Sequence, residues 1–287
     1  MLDKSTNMDN LHYMYELAYR ANIDVYTIRI GGIEKYIVLY EDHRTILNVL
    51  YFAQMKGILS TIPNIIYFDY HDDACEVCGD EIEKIKVLPI SEDNFQTFWQ
   101  FVEFSLGNLD DDWVWAAMCI DLIKNAVCVG GVQDYNIARL NEVFNKQEKH
   151  LYTINHFDEE LDRRGCFKDS FSSHAEEDQH IRSIFGLNWP GEQNVEQGTP
   201  YILDFDLDCF TGKIDEKVMA WPEMIFRKHF EEHFEAKQLL RRLIKDSAFI
   251  TICKESKCCG GIGESNKILS YLDHYFFDDQ LQTLPII

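Results

Sequence analysis

Positive charge is scarce in this chain. Lys and Arg number 27 against 49 Asp and Glu, which gives a formal net charge of −22. A basic face able to neutralise phosphates is therefore excluded, and with it the usual electrostatic route to nucleic acid. Long apolar runs are missing too. None reaches the roughly 20 residues that span a bilayer, and no apolar stretch opens the chain as a signal peptide would. The nine cysteines are an odd number and form no disulfide framework by their spacing. They predict free thiols in a reducing cytoplasm. No internal repeat is present, so solenoid architectures are excluded.

What is present suits a folded enzyme-sized domain. Hydrophobic residues make up 46% of 287 positions, enough for a sizeable core. The acidic balance keeps a protein soluble, and it also attracts metal cations and cationic substrates. Cys75 and Cys78 form a C-x-x-C pair and Cys258 and Cys259 are adjacent. A structural zinc site from these four would be unusual, because the second pair lacks its two-residue spacer.

The pattern along the chain alternates between strand and helix. Residues 11–21 read as helix. Two β-rich runs, Val25 to Ile30 and Tyr36 to Tyr40, flank Gly31-Gly32 and predict strand, turn, strand. A helix follows over 44–59, with Leu47, Leu50 and Tyr51 at helical spacing. Ile65 to Phe68 is a short apolar run, as in a strand buried on both faces. Helices are predicted over 94–106 and 111–124, the second capped by Asp111 or Asp112. A strand over 126–129, a helix over 135–146 and a strand over 151–154 come next.

Composition then turns polar from about 158 to 199, which predicts a surface insertion. Beyond it lie a strand at 201–206 and a helix over 223–245 with Phe226, Phe230 and Phe234 stacked at i, i+4. A strand at 248–252 follows, and a last helix capped by Ser265. The whole predicts one α/β domain over 1–287, a three-layer fold with a mostly parallel sheet flanked by helices.

Three polar clusters follow apolar strands, where open parallel sheets bind their ligands. In Asp69-Tyr-His71-Asp-Asp73 the alternate residues of an extended segment face one way, so Asp69, His71 and Asp73 can converge. Two carboxylates and an imidazole suit Mn²⁺ or a related ion. In Asp204-Phe-Asp206-Leu-Asp208 three carboxylates crowd one strand end, a conflict that a divalent cation removes. Glu41-Asp42-His43 is weak alone and gains meaning from its place ahead of the other two.

The order H…D-x-H-x-D…D-x-D at three strand ends resembles the ureohydrolase superfamily of arginases and agmatinases. Glu41-Asp42-His43 is similar to its G-D-H element, and Asp69 to Asp73 matches its D-x-H-x-D element. Asp204-Phe205-Asp206-Leu207-Asp208 is similar to its S-F-D-x-D element, with Asp204 in place of Ser. The Gly-Gly before the Asp-His is missing, and Asp-Pro does not follow the D-x-D. The segments 69–75, 108–132 and 201–210 look more like a divergent branch that includes peptide arginases.

The resemblance implies two Mn²⁺ ions. His43, Asp69, Asp73 and Asp206 would hold one; His71, Asp69, Asp206 and Asp208 would hold the other, with Asp69 and Asp206 bridging. It implies attack by a bridging hydroxide on the guanidinium of an arginine side chain, releasing urea and leaving ornithine. Asp73 would pass the proton to the leaving amine, and Glu255, after the strand at 248–252, would face the guanidinium. The loop 107–110 carries no His where the family often has one, and His156 and His174 lie in or near the insertion. The family's elements for binding free amino acid are not found, so an arginine-containing peptide is the expected partner, with no nucleic acid and no membrane.

Other readings compete. A haloacid-dehalogenase-type phosphatase would use Asp206 and Asp208 but leaves Asp69, His71 and Asp73 unexplained. A zinc deacetylase of the related fold would need adjacent histidines, and the chain has no His-His pair. Another guanidine or amide hydrolase of the same fold, or a non-catalytic metal-binding domain that binds a partner, would keep the same ligands. With Asp206 and Asp208 as the ligands of the D-x-D, Asp206→Asn should abolish turnover and reduce bound metal, while Asp204→Asn should do much less; metal analysis and assay of both variants checks it.

Overall fold

The computed structural model describes residues 12–13, 15–20, 23–77, 79–107, 111–130, 134–154, 184, 199–214, 216–232 and 234–281. Most of the insertion expected at 158–199 lies outside these residues, as do His156, His174, Cys78 and the loop at 108–110.

The chain builds a seven-stranded sheet. Its strands are β1 (Asp24–Ile30), β2 (Ile33–Tyr40), β3 (Asn64–Phe68), β4 (Ala126–Val129), β5 (Leu151–Ile154), β6 (Tyr201–Asp206) and β9 (Ile250–Cys253), the last numbered after a separate hairpin of β7 (Thr211–Ile214) and β8 (Lys217–Ala220). Spatial order is β1-β2-β9-β6-β3-β4-β5. Only the β1–β2 pair is antiparallel within it. Those two strands join through Gly31 and Gly32, both at positive φ, as a tight hairpin turn requires.

Helices cover both faces. On one side lie α1 (Thr45–Met55), α2 (Glu81–Lys86), α3 (Glu92–Phe104), α4 (Trp113–Cys119) and α5 (Asp134–Phe144). On the other lie α6 (Glu223–Phe230), α7 (Phe234–Asp246) and α8 (Ile262–Phe276). The alternation of side chains along the central strands divides the core. Val38, Tyr40, Ile65 and Tyr67 face the first layer, and Ile37, Leu39, Ile66 and Phe68 face the second. This is the expected three-layer α/β fold. Among the described residues no helix is long and apolar enough to cross a membrane.

Several predicted boundaries shift. The helix expected over 223–245 is two helices: α6 ends at Phe230, with the Glu231 amide donating to the Arg227 carbonyl at 2.8 Å, and α7 starts at Phe234. The Phe226 and Phe230 rings still meet, tilted at 46° with centroids 5.0 Å apart. The Asp112 carboxylate makes no cap bond to α4; it accepts from the Gly107 amide at 2.9 Å. Helix α4 stops at Cys119, shorter than expected, and Asp121 turns the chain at φ 61°. Ser265 lies inside α8, where its hydroxyl donates to the Lys254 carbonyl at 3.1 Å. The β7–β8 hairpin was not anticipated.

Topology places the chemistry. Strands β3, β4 and β5 progress to one side of the sheet, while β6 and β9 fill the other side between β3 and β2. The order therefore reverses between β3 and β6, and ligands of open α/β sheets bind at the carboxyl ends beside such a reversal. The turn after β9 is held to the β7–β8 hairpin by Gly260. Its φ is +91°, and a Cβ there would sit 2.0 Å from the Val218 carbonyl oxygen. Gly260→Ala should therefore lower stability by about 1–3 kcal/mol, read as a reduced midpoint in thermal or urea unfolding.

Candidate metal centre

The site is assembled from the ends of four adjacent strands. His43 stands on the turn that leads from β2 into α1, where the amides of Thr45 and Ile46 bond back to the carbonyls of Asp42 and His43 at 2.9 and 3.0 Å. Asp69 follows β3 and Asp206 ends β6. Phe68 pairs in register with Phe205, so the next residues along, Asp69 and Asp206, stand abreast across the β3–β6 boundary. Cys253, the last residue of β9, pairs with Asp206, and Glu255 lies two residues beyond.

His43 is the centre of a first group. Its Nδ1 lies 3.0 Å from Asp73 Oδ2 and 3.4 Å from Oδ2 of both Asp69 and Asp206. All four residues are buried. On its other edge, Nε2 meets Asp204 Oδ2 at 2.9 Å. Despite the crowding, His43 Nδ1 and Asp69 Oδ2 have no hydrogen-bond partner among the described residues. A nitrogen lone pair facing three carboxylate oxygens is repulsive unless a cation or a proton lies between them.

A second group shares one member with the first. His71 Nδ1 lies 3.7 Å from Asp69 Oδ1 and 3.5 Å from Asp208 Oδ2. Asp69 thus turns Oδ2 to His43 and Oδ1 to His71. Asp206 turns Oδ2 to His43, and its Oδ1 accepts the Asp208 amide at 3.2 Å, which folds the short 3₁₀ turn Leu207–Phe210. His43, Asp69 and Asp73 offer ligand atoms within 4.8 Å of one another, as do Asp69, His71 and Asp208. Buried His and Asp clusters able to hold metal ions are therefore present, and the orphaned Nδ1 and Oδ2 atoms fit that use.

Local structure explains why Asp73, and not its neighbour Asp72, faces the centre. The Asp72 carboxylate accepts the Ala74 amide at 3.1 Å, and its carbonyl accepts the Tyr67 hydroxyl at 2.5 Å. The chain then enters left-handed backbone at Asp73, φ 49°. The Trp113 indole N–H donates to Asp73 Oδ2 at 2.5 Å, and the Trp113 ring lies 4.8 Å from that of His43. Glu255 is likewise left-handed, at φ 32°. Two residues of one site in a region that L side chains avoid is a local cost, retained where the surroundings over-determine the conformation.

Glu255 reaches the centre from β9. Its carboxylate falls within ligand range of His43 and Cys253, and also of Asp208 and Cys258. Sequence reasoning missed the nearness of Cys253 and Cys258, and it missed Trp113 and the residues that hold Asp204. Cys253 alone left a signal, as the final residue of a buried strand. The four-cysteine zinc site falls partly on Cys78, which lies outside the described residues. Of the other three, Cys75 donates to Asp111 Oδ2 and Cys259 donates to the Lys254 carbonyl.

Buried negative charge shifts the protonation of the metal-free protein. Burial, then repulsion from Asp73, Asp206 and Asp208, holds Asp69 well above the usual carboxylate range. Burial and then Asp208 push Asp206 up to about 7, and burial with Asp206 and Asp208 pushes Glu255 up to about 10. For His43, burial favours the neutral ring, but Asp204, Asp206 and Asp73 outweigh it and hold the imidazole well above its ordinary value. Asp73 moves the other way: burial is outweighed by its contacts with His43, and its carboxyl titrates below the ordinary value. Protons thus occupy the site when no cation does.

Two surface cavities of about 420 and 490 Å³ border α3 and include none of these residues among their linings. A scan against protein-family models finds no match to this chain, and a search of curated proteins finds none.

The shifts fix a pH dependence. Carboxyls raised in the folded state bind protons that the unfolded chain has released, so their contribution is complete below about 4 and is lost as pH rises through the folded values. For Asp206 that window runs from about 4 to about 7, and for Glu255 from about 4.5 to about 10. The melting temperature of metal-free protein should therefore fall between pH 5 and pH 8. Added Mn²⁺ should reverse the fall, by about 2.7 kcal/mol at a hundredfold excess over its dissociation constant, and should release protons measurable in weakly buffered solution. Calorimetric scans at several pH values, with and without Mn²⁺, check both.

Proposed function

We propose that this protein is a dinuclear-metal hydrolase that removes urea from arginine side chains held in a peptide, leaving ornithine. The observation that carries this reading is Asp69, which gives one oxygen to the His43 group and the other to the His71 group. One shared carboxylate between two mixed His/Asp sets is the arrangement a pair of divalent ions requires. Mn²⁺ is the ion best matched to hard oxygen donors with a few imidazoles. His43, Asp69, Asp73 and Asp206 would hold one ion, and His71, Asp69, Asp206 and Asp208 the other.

Divalent ions held by these residues would supply Lewis acidity and make water a nucleophile near neutral pH, which hydrolysis of a guanidinium needs. The chain's own groups do the rest. Asp73 is pinned through Oδ2 by the Trp113 indole, so its carboxylate is oriented to take a proton from water and deliver it to the departing amine. Glu255 offers two oxygens to a planar guanidinium, the bidentate fit for which carboxylates are suited. Its carboxyl is neutral in the metal-free protein, and an arriving cation favours the ionised form. The net charge of −22 draws cationic peptides towards the site. The absence from the sequence of elements for gripping a free α-carboxylate and α-amine favours a peptide over free arginine.

A second reading has one observation behind it. Cys253 and Cys258 offer thiols beside the same carboxylates, and soft donors suit Zn²⁺. A domain that holds metal without turnover would use the site in that way. Urea release by the full chain with added Mn²⁺, comparing an arginine-containing peptide with free arginine, separates these readings, with mass spectrometry locating ornithine. Urea from the peptide in excess over free arginine is expected. Equal or faster cleavage of free arginine would sink the peptide assignment. Two bound ions with no urea from either would favour the metal-holding domain.

A further inference from the structure

We propose that Asp204 is a positioning residue that fixes the tautomer and aim of His43, an inference that rests on the metal-centre reading above. Asp204 is completely buried, two residues before Asp206 on the same side of β6. A buried carboxylate persists only when its oxygens are hydrogen-bonded. Here three donors from three chain segments meet it. Oδ1 accepts the Tyr40 hydroxyl at 2.9 Å and the Thr251 hydroxyl, while Oδ2 accepts from His43 Nε2 at 2.9 Å.

The division between the two oxygens is the point. Tyr40 ends β2 and Thr251 lies in β9, the strand between β2 and β6. Together they occupy Oδ1 and turn the carboxylate so that Oδ2 faces the imidazole. A carboxylate can only accept, so Nε2 carries a hydrogen and keeps it when a cation replaces the Nδ1 proton, which leaves the Nδ1 lone pair for that cation among Asp69, Asp73 and Asp206. The Trp113 ring closes on the imidazole from another direction. The ring is therefore held at its edge by a negative charge and packed against an indole tilted 40° to it, with centroids 4.8 Å apart. A carboxylate on the far nitrogen also makes the near nitrogen a stronger donor to a cation. Asp204 touches neither the shared oxygens of Asp69 nor His71 in this arrangement, so its influence is specific to the His43 group.

The test uses full-length protein and two measurements. In the first, Mn²⁺ binding is followed by calorimetry and metal stoichiometry for wild type, Asp204→Asn and Thr251→Val. Asp204→Asn should weaken one of the two binding steps roughly 10–100-fold and leave the other step unchanged, with full occupancy restored by excess Mn²⁺. Thr251→Val, which loosens a tie between β6 and β9 but keeps the carboxylate, should lower the melting temperature with a much smaller loss of affinity. In the second, ¹⁵N spectra of the diamagnetic Zn²⁺-loaded wild type should place the His43 proton on Nε2, a readout that does not depend on the variant folding. A proton on Nδ1, or unchanged Mn²⁺ binding in Asp204→Asn beside two normal steps in wild type, would overturn the inference alone. Failure of wild type to bind Mn²⁺ would overturn it together with the metal centre.

Discussion

Carboxylates crowded around His43 in a buried place are the constraint on which this structure turns. Asp69, Asp73, Asp204 and Asp206 all approach one imidazole, and His43, Asp69 and Asp204 are fully buried. Like charges at such separations in a low-dielectric interior cannot all be retained unaided. The fold must supply positive charge there, as protons or as a cation, and the rest of the architecture holds the oxygens in place until it does.

The sheet provides that hold. Four neighbouring strands, β2, β9, β6 and β3, end at nearly the same level, because their registers run Tyr40 to Cys253 to Asp206 and Phe205 to Phe68. Apolar side chains above and below leave these strands little room to slip, since a slip of one residue would turn each inward set outward. The acidic groups are thus fixed by hydrophobic packing on both faces, and burial of the core offsets the cost of bringing them together. Strain at Asp73 and Glu255 belongs to the same balance.

Much of this was legible in the sequence, and the reason is periodicity. Apolar runs such as Ile65 to Phe68 and Tyr201 to Leu203 announce strands buried on both faces, and the polar residues that follow them mark the carboxyl ends. Periodicity marks the strand ends that His43, Asp69, Asp73 and Asp206 occupy or follow; grouping the four at one place came from the motif resemblance. Contacts between segments distant in sequence could not. Nothing in the local pattern tells that Trp113 donates to Asp73, or that Tyr40 and Thr251 share Asp204, because those pairings depend on strand order. Helix ends failed for a related reason. Asp112 has the side chain of a cap, but the Gly107 amide competes for it, and the phenylalanine spacing from 226 to 234 runs straight across the break between α6 and α7.

The thiols near the centre feel the same field. Burial raises Cys253, Cys258 and Cys259 above their ordinary values, and the neighbouring carboxylates raise them further, Cys258 to about 12. Oxidants and alkylating agents attack the thiolate, and at neutral pH almost none exists here. The acidic residues therefore passivate the sulfur beside them. Burial is the larger cause, so only the part of that protection due to the carboxylates is removed when a cation settles among them. Chemical reactivity at Cys258 becomes an internal gauge of how much positive charge the site contains.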